Sequence, residues 1–100
     1  PVPNVSVVDF KFLAKKATSA KDVNEAILAA ANGPLKGILG FTDQPNVSSD
    51  FNHDPHSSIF HMDQTKVLDG NLVSVVSWYD NEWGFSNRMA DTAVAMGRLI

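Results

Sequence analysis

Apolar and polar positions alternate along Val5 to Lys16: Val8, Phe10 and Phe12 are interleaved with Asp9 and Lys11, the two-residue period of a half-buried strand. Val7 and Val8 are neighbouring apolars, so the phase slips there, and a bulge or burial on both faces is expected. The period then lengthens. Between Thr18 and Asn32 the residues Val23, Ala26, Ile27 and Ala30 recur at i, i+3, i+4 and i+7, which predicts a helix with one apolar stripe. Ser19 suits its N-cap, with Asp22 in a capping-box-like place. Gly33 is expected to take the left-handed conformation that ends the helix, and Pro34 to prevent continuation. Gly37 to Thr42 reads as a short buried strand. Asp43 to Phe60 is rich in Asn, Asp, Ser, Pro and His and reads as loop, with a short strand possible at Ser57 to Phe60. Thr65 to Leu68 and Leu72 to Tyr79 flank Asp69-Gly70-Asn71, a hairpin signal. The second arm is apolar on both faces and belongs in the middle of a sheet. From Ser86 onward Met89, Ala93, Met96 and Ile100 keep helical spacing. Helices and strands therefore mix in an α+β chain. Its two helices leave more apolar strand surface, in Val5 to Leu13 and Leu72 to Tyr79, than they can cover, so one sheet face is expected to lie bare.

Composition narrows the chemistry. One hundred residues make one domain at most, and 44% hydrophobic residues allow an ordinary small core. The net charge of −3 is scattered, with no basic patch, which argues against nucleic acid as a partner. No apolar run approaches the roughly 20 residues that span a bilayer, which argues against a membrane. Lys15, Lys16 and Lys21 form only a small solvated cluster. The chain has no cysteine, so it offers no disulfide, no thiolate metal site and no cysteine nucleophile. The opening Pro1-Val2-Pro3, leading straight into a strand, reads as a cut through a longer chain.

Among polar residues, His53, His56 and His61 lie near Asp50, Asp54 and Asp63, a donor set for a metal. Their spacing matches no zinc pattern, and no metal is expected. Asn81 follows the long strand at Tyr79-Asp80-Asn81. A side-chain amide there either closes a turn or complements another amide, since it both donates and accepts. Tyr79 and Phe85 flank the corner and serve equally well as core packing. Glu82 suits a helix start, whereas Arg88, a cation expected in the first helical turn, calls for a carboxylate partner.

Three stretches carry a resemblance: Pro3-Asn4-Val5-Ser6-Val7-Val8-Asp9; Gly33-Pro34-Leu35-Lys36-Gly37-Ile38-Leu39-Gly40 leading into Val47-Ser48-Ser49-Asp50-Phe51-Asn52; and Ser77-Trp78-Tyr79-Asp80-Asn81-Glu82-Trp83-Gly84-Phe85-Ser86-Asn87-Arg88. In this order they resemble the catalytic domain of phosphorylating glyceraldehyde-3-phosphate dehydrogenases, and His53-Asp54-Pro55-His56 with Phe60-His61 resembles bacterial members. The likeness covers essentially the whole chain. It implies that residues 1–100 are the C-terminal portion of that catalytic domain, a mixed, mostly antiparallel sheet with two helices including the terminal one. The NAD-binding Rossmann domain, the nucleophilic Cys and its His would then lie outside this chain. It further implies an NAD-dependent oxidoreductase of glycolysis, acting on glyceraldehyde 3-phosphate and phosphate, cytoplasmic and homotetrameric, and a chain inactive alone. By the same resemblance Asn81 hydrogen-bonds the nicotinamide carboxamide, and Tyr79 and Phe85 pack near that end of the cofactor. Phe85 stands where many members have Tyr. No catalytic residue carries over. Erythrose-4-phosphate dehydrogenase shares Asn81-Glu82-Trp83-Gly84-Phe85 and Asn52-His53-Asp54-Pro55-His56, but Ser77-Trp78-Tyr79 and Gly33-Pro34-Leu35-Lys36-Gly37 favour the glyceraldehyde enzyme. A free-standing binding or assembly module is the alternative of a different class.

Overall fold

In the computed structural model, which describes residues 1–100, β1 (Ser6–Leu13) leads through α1 (Ala20–Asn32) to β2 (Leu39–Thr42). β3 (Ser58–His61), β4 (Lys66–Leu68), β5 (Leu72–Tyr79) and α2 (Trp83–Gly97) follow, with short 3-10 turns at Ser48–Phe51 and Met62–Gln64. β5 is the central strand, as its two-sided apolar pattern requires. One edge pairs antiparallel with β1 over its whole length, from Ser6 opposite Tyr79 to Leu13 opposite Leu72. The other edge pairs antiparallel with β4 at its start and β3 at its end. β2 lies parallel to β3, so the sheet is mixed and mostly antiparallel. The β4–β5 turn has positive φ at both central residues, 52° at Asp69 and 77° at Gly70, the conformation that Asp-Gly sequences favour in hairpins.

Several sequence expectations need correction. The β1–β5 register runs without a bulge, and Val7 and Val8 are not buried on either face: they are 50% and 46% exposed. β1 is an edge strand, and its row of Val8, Phe10 and Phe12 stands largely in the open, with the two phenyl rings stacked. β1 also stops at Leu13. Beyond it β5 has no further residues to pair, and the N–H groups of Ala14 and Thr18 bond instead to Asn71 and Gly70 in the hairpin turn. Gly33 is not left-handed, with φ of −118°. Its value is room: a Cβ there would sit 2.8 Å from the Ala29 carbonyl oxygen. The chain keeps turning to Ile38, so β2 starts at Leu39 rather than Gly37.

Ser19 does cap α1, its hydroxyl accepting from the Asp22 N–H at 3.1 Å. Of the expected α1 stripe, Val23, Ile27 and Ala30 are half-buried. Ala26 is exposed, Ala31 is the buried residue, and Asn24 is drawn inward, donating to the Met62 carbonyl and accepting from the Thr65 hydroxyl. Phe60 and Val73 are buried on one face of the sheet, and Ile59 and Trp78 lie on the other. On that second face Phe51, brought in by the 3-10 turn, stacks on Trp78 with ring centroids 5.5 Å apart. Val5, Phe51 and Ile59 are buried together against Trp78. This small core supports the end of β5.

Candidate functional site

β5 ends at Tyr79, and the chain turns through Asp80, Asn81 and Glu82 into α2. The turn is organised by Asp80, whose residue surface is only 2% exposed. One carboxylate oxygen, Oδ1, accepts from the N–H groups of Trp83 at 2.9 Å and Glu82 at 3.3 Å. Oδ2 accepts from the His53 N–H and from Asn4 Nδ2, each at 2.8 Å. Burial alone pushes the Asp80 carboxyl up. The bonds from Trp83, His53, Asn4 and Glu82 outweigh it and hold the group below its ordinary value. Asp80 thus caps the approach to α2 from two positions ahead of its N-cap residue Glu82, satisfying the N–H groups of Glu82 and Trp83 near the positive end of the helix dipole. That cap explains why α2 starts at Trp83, three residues before the Ser86 that side-chain periodicity suggests.

Three segments meet at this carboxylate: 4–6, 52–53 and 80–83. Asn4 Nδ2 also donates to Asn52 Oδ1 at 2.8 Å. Two of the chain's non-glycine residues with positive φ flank it, Val5 at 74° and His53 at 63°. Histidine tolerates this conformation better than a β-branched residue does, so Val5 is the true outlier, strained by on the order of 1–3 kcal/mol. It is held there by burial among Phe51, Ile59 and Trp78 on one side and by the Asn4–Asp80 bond on the other.

Asn81 is exposed, and its amide lies against the Ser6 hydroxyl, with Oγ 2.8 Å from Nδ2 and 3.1 Å from Oδ1. A primary amide has two donors and two acceptor lone pairs. One hydroxyl leaves at least a donor and an acceptor facing solvent. Tyr79, half-buried, sits opposite Ser6 in the β1–β5 register, so Ser6 joins two of the three expected site residues. Phe85, 66% exposed, opens an apolar stripe on α2 with Met89, Ala93 and Met96. Beyond its first turns α2 stands free of the sheet. It is anchored at Gly84, where a Cβ would come within 2.7 Å of the His56 carbonyl oxygen, and at Arg88. Arg88 lies past the first turn. It pairs with Asp91 at 2.9 Å and reaches the Ser57 hydroxyl at 3.2 Å. Glu82 is exposed, and its side chain caps nothing.

The three histidines serve three separate joints. His53 stacks on Trp83 with centroids 4.3 Å apart. His56 Nδ1 is 2.7 Å from Asp54 Oδ1, and its ring covers Gly40. The buried His61 accepts from the Trp78 indole N–H through Nδ1 at 3.0 Å, so Nε2 carries the proton that faces the Gln44 carbonyl and Asp63, both at 2.9 Å.

Sequence reasoning missed Asp80, Asn4, Val5 and Ser6. For Asp80 a signal existed: an Asp whose side chain can accept from the N–H two residues on is an Asx-turn pattern just ahead of a helix. For Ser6 none did, because its partner lies 75 residues away.

Residues 1–81 match the family described as glyceraldehyde 3-phosphate dehydrogenase, C-terminal domain. The glyceraldehyde-3-phosphate dehydrogenase of Xanthobacter flavus is 75% identical over 99 residues, which is 99% of this chain and 30% of that relative. That of Cereibacter sphaeroides is 74% identical over the full chain, again 30% of the relative, and that of Mycolicibacterium smegmatis 53% identical over the full chain and 29% of its own length. The chain spans less than a third of each of these relatives.

Proposed function

Because this chain belongs to the glyceraldehyde 3-phosphate dehydrogenase C-terminal domain family, we propose that it works as the C-terminal portion of the catalytic domain of a phosphorylating, NAD-dependent dehydrogenase. The substrates are glyceraldehyde 3-phosphate and inorganic phosphate, the product is 1,3-bisphosphoglycerate, and the setting is cytoplasmic glycolysis. The observation that carries the cofactor assignment is the Asn81 amide, fixed on one side by Ser6 and open on the other. An amide with a free donor and a free acceptor is the complement of a nicotinamide carboxamide. NAD, when bound, supplies the hydride acceptor. This chain contributes orientation: Asn81 holds the carboxamide and thereby the ring face, while Tyr79 and Phe85 provide apolar surface near the ring. Positioning of this kind lowers a barrier without any group of the chain entering the reaction. The exposed Val8-Phe10-Phe12 row and the free stripe of α2 support assembly into a homotetramer.

Two measurements test the reading. The 100 residues alone, having no cysteine, are expected to produce no NADH from glyceraldehyde 3-phosphate and phosphate, because a thiolate adduct has to come from elsewhere in the enzyme; NADH formation by the chain alone would overturn it. In the full-length enzyme, Asn81→Ala is expected to weaken NAD about ten- to thirtyfold, the equivalent of about 1–2 kcal/mol for one lost hydrogen-bonded pair. Affinity for ADP-ribose, which lacks the nicotinamide, should stay unchanged. An NAD dissociation constant equal to wild type would leave Asn81 a turn residue only. Erythrose 4-phosphate, assayed beside glyceraldehyde 3-phosphate on the same enzyme, should be the poorer substrate by kcat/KM.

A further inference from the structure

We propose that Ser6 is a positioning residue for Asn81, and that the left-handed turn at Val5 is the backbone device that aims it. The inference rests on the reading of Asn81 as the residue that faces the nicotinamide carboxamide. An amide on an exposed turn rotates about a broad, two-fold terminal torsion. Left alone, Asn81 would present its NH2 as often as its oxygen to any given point. The Ser6 hydroxyl narrows that freedom by holding one edge of the amide, 2.8 Å from Nδ2 and 3.1 Å from Oδ1. The hydroxyl accepts from the NH2 group and donates toward Oδ1. The second N–H and a lone pair of Oδ1 remain for a ligand.

The support behind Ser6 is rigid. Ser6 is the first residue of β1 and lies in register with Tyr79, so its backbone is fixed to the strand that ends two residues before Asn81. Asn4, two residues earlier, grips Asp80 while Ser6 grips Asn81. Residues 4 and 6 thus hold two consecutive residues of the corner. Between them the Val5 side chain drops into the cluster with Phe51 and Ile59, which is possible at this point because φ is 74°. A strained, buried valine between two polar grips is a conformation set by its surroundings. What it achieves is the aim of the neighbouring hydroxyl. Sites held by groups on strands keep tighter geometry than sites held by loops.

The test uses the full-length enzyme as wild type, Ser6→Ala, Ser6→Thr, Asn81→Ala and the Ser6→Ala/Asn81→Ala double variant. NAD and ADP-ribose are titrated against each, below the lowest melting temperature of the set. Ser6→Ala is expected to raise the NAD dissociation constant about three- to tenfold, the range of one ordinary hydrogen bond, and to leave ADP-ribose binding unchanged. Ser6→Thr, which keeps the hydroxyl, should restore NAD affinity to within about twofold of wild type. Combined with Asn81→Ala, Ser6→Ala should add nothing further, the coupling expected of residues that act through one another. An unchanged NAD constant in Ser6→Ala beside a raised one in Asn81→Ala would overturn this inference and leave the reading of Asn81 standing. So would equal weakening of NAD and ADP-ribose, or a Ser6→Ala effect that persists in full without Asn81. An unchanged constant in Asn81→Ala would instead bring down the reading of Asn81 itself, and this inference with it.

Discussion

Asp80→Ala is expected to lower the stability of the chain by about 3 kcal/mol or more. The carboxylate serves four donors at once, the N–H groups of His53, Glu82 and Trp83 and the amide of Asn4, in a place almost shut off from water. Each hydrogen bond to a charged group contributes about 1.5–3 kcal/mol, and a buried donor left without a partner keeps its desolvation penalty. The contributions overlap, since the N–H groups at the start of α2 regain some water when the cap is gone. The loss is still a large share of the roughly 5–15 kcal/mol that holds a domain together. Asp80→Asn is expected to be nearly as damaging. It keeps the shape but turns one oxygen into an NH2 group that faces donors.

The acid dependence carries a sign that follows from the same bonds. The Asp80 carboxyl is held below its ordinary value in the folded chain, so the unfolded chain binds the proton more readily. Its contribution is complete above the ordinary carboxylate pKa and is lost as pH falls through the lowered folded value. Urea unfolding of wild type, Asp80→Ala and Asp80→Asn across neutral and acid pH reads both effects. Wild type should lose stability in acid more steeply than Asp80→Asn. A difference between wild type and Asp80→Ala below about 1 kcal/mol at neutral pH would mean that water replaces the carboxylate without cost.

The elements that local chemistry writes were legible in the sequence. Ser19 and Asp22 mark the start of α1, Asp69-Gly70 marks the hairpin, and the two-sided apolar run of Leu72 to Tyr79 marks the central strand; each depends on residues within a few positions of one another. What failed were statements about room and about partners. Gly33 looked like a left-handed cap because glycine commonly is one, whereas here it makes space for the Ala29 carbonyl. Val7 and Val8, as adjacent apolars, pointed to a bulge or burial on both faces, yet β1 is an edge strand with an unbroken register that leaves both about half exposed. At the candidate site, Asn81 could be singled out from its motif. Its setting could not, because Ser6, Asn4 and His53 reach the corner from distant parts of the chain. Periodicity also misplaced the start of α2. That boundary belongs to Asp80, a polar residue that hydrophobic spacing does not register.

Trp78→Ala is expected to cost about 3 kcal/mol and to disturb the site through Val5. Truncating a core tryptophan costs about 3–5 kcal/mol, and the half-buried setting of Trp78 favours the lower end. Three things go with the indole. Phe51 loses its stacking partner, His61 Nδ1 loses its donor, and a void opens beside Val5 and Ile59. The void matters most for the corner. Val5 keeps its φ of 74° only while the packing around it leaves no easier conformation. With the indole gone, residues 4–6 can relax toward ordinary extended backbone, and the Ser6 hydroxyl then leaves the Asn81 amide. Trp78→Phe separates packing from hydrogen bonding. It keeps an aromatic face on Phe51 but loses the N–H to His61, and should cost only about 1–2 kcal/mol. Urea unfolding of both variants measures the stability terms, and NAD titration of the full-length enzyme measures the effect on the corner. Trp78→Ala should weaken NAD about as much as Ser6→Ala does, while Trp78→Phe should bind NAD like wild type. Equal losses of stability in the two variants would assign the role of Trp78 to its single hydrogen bond. The strained valine would then need another explanation than the indole packed against it.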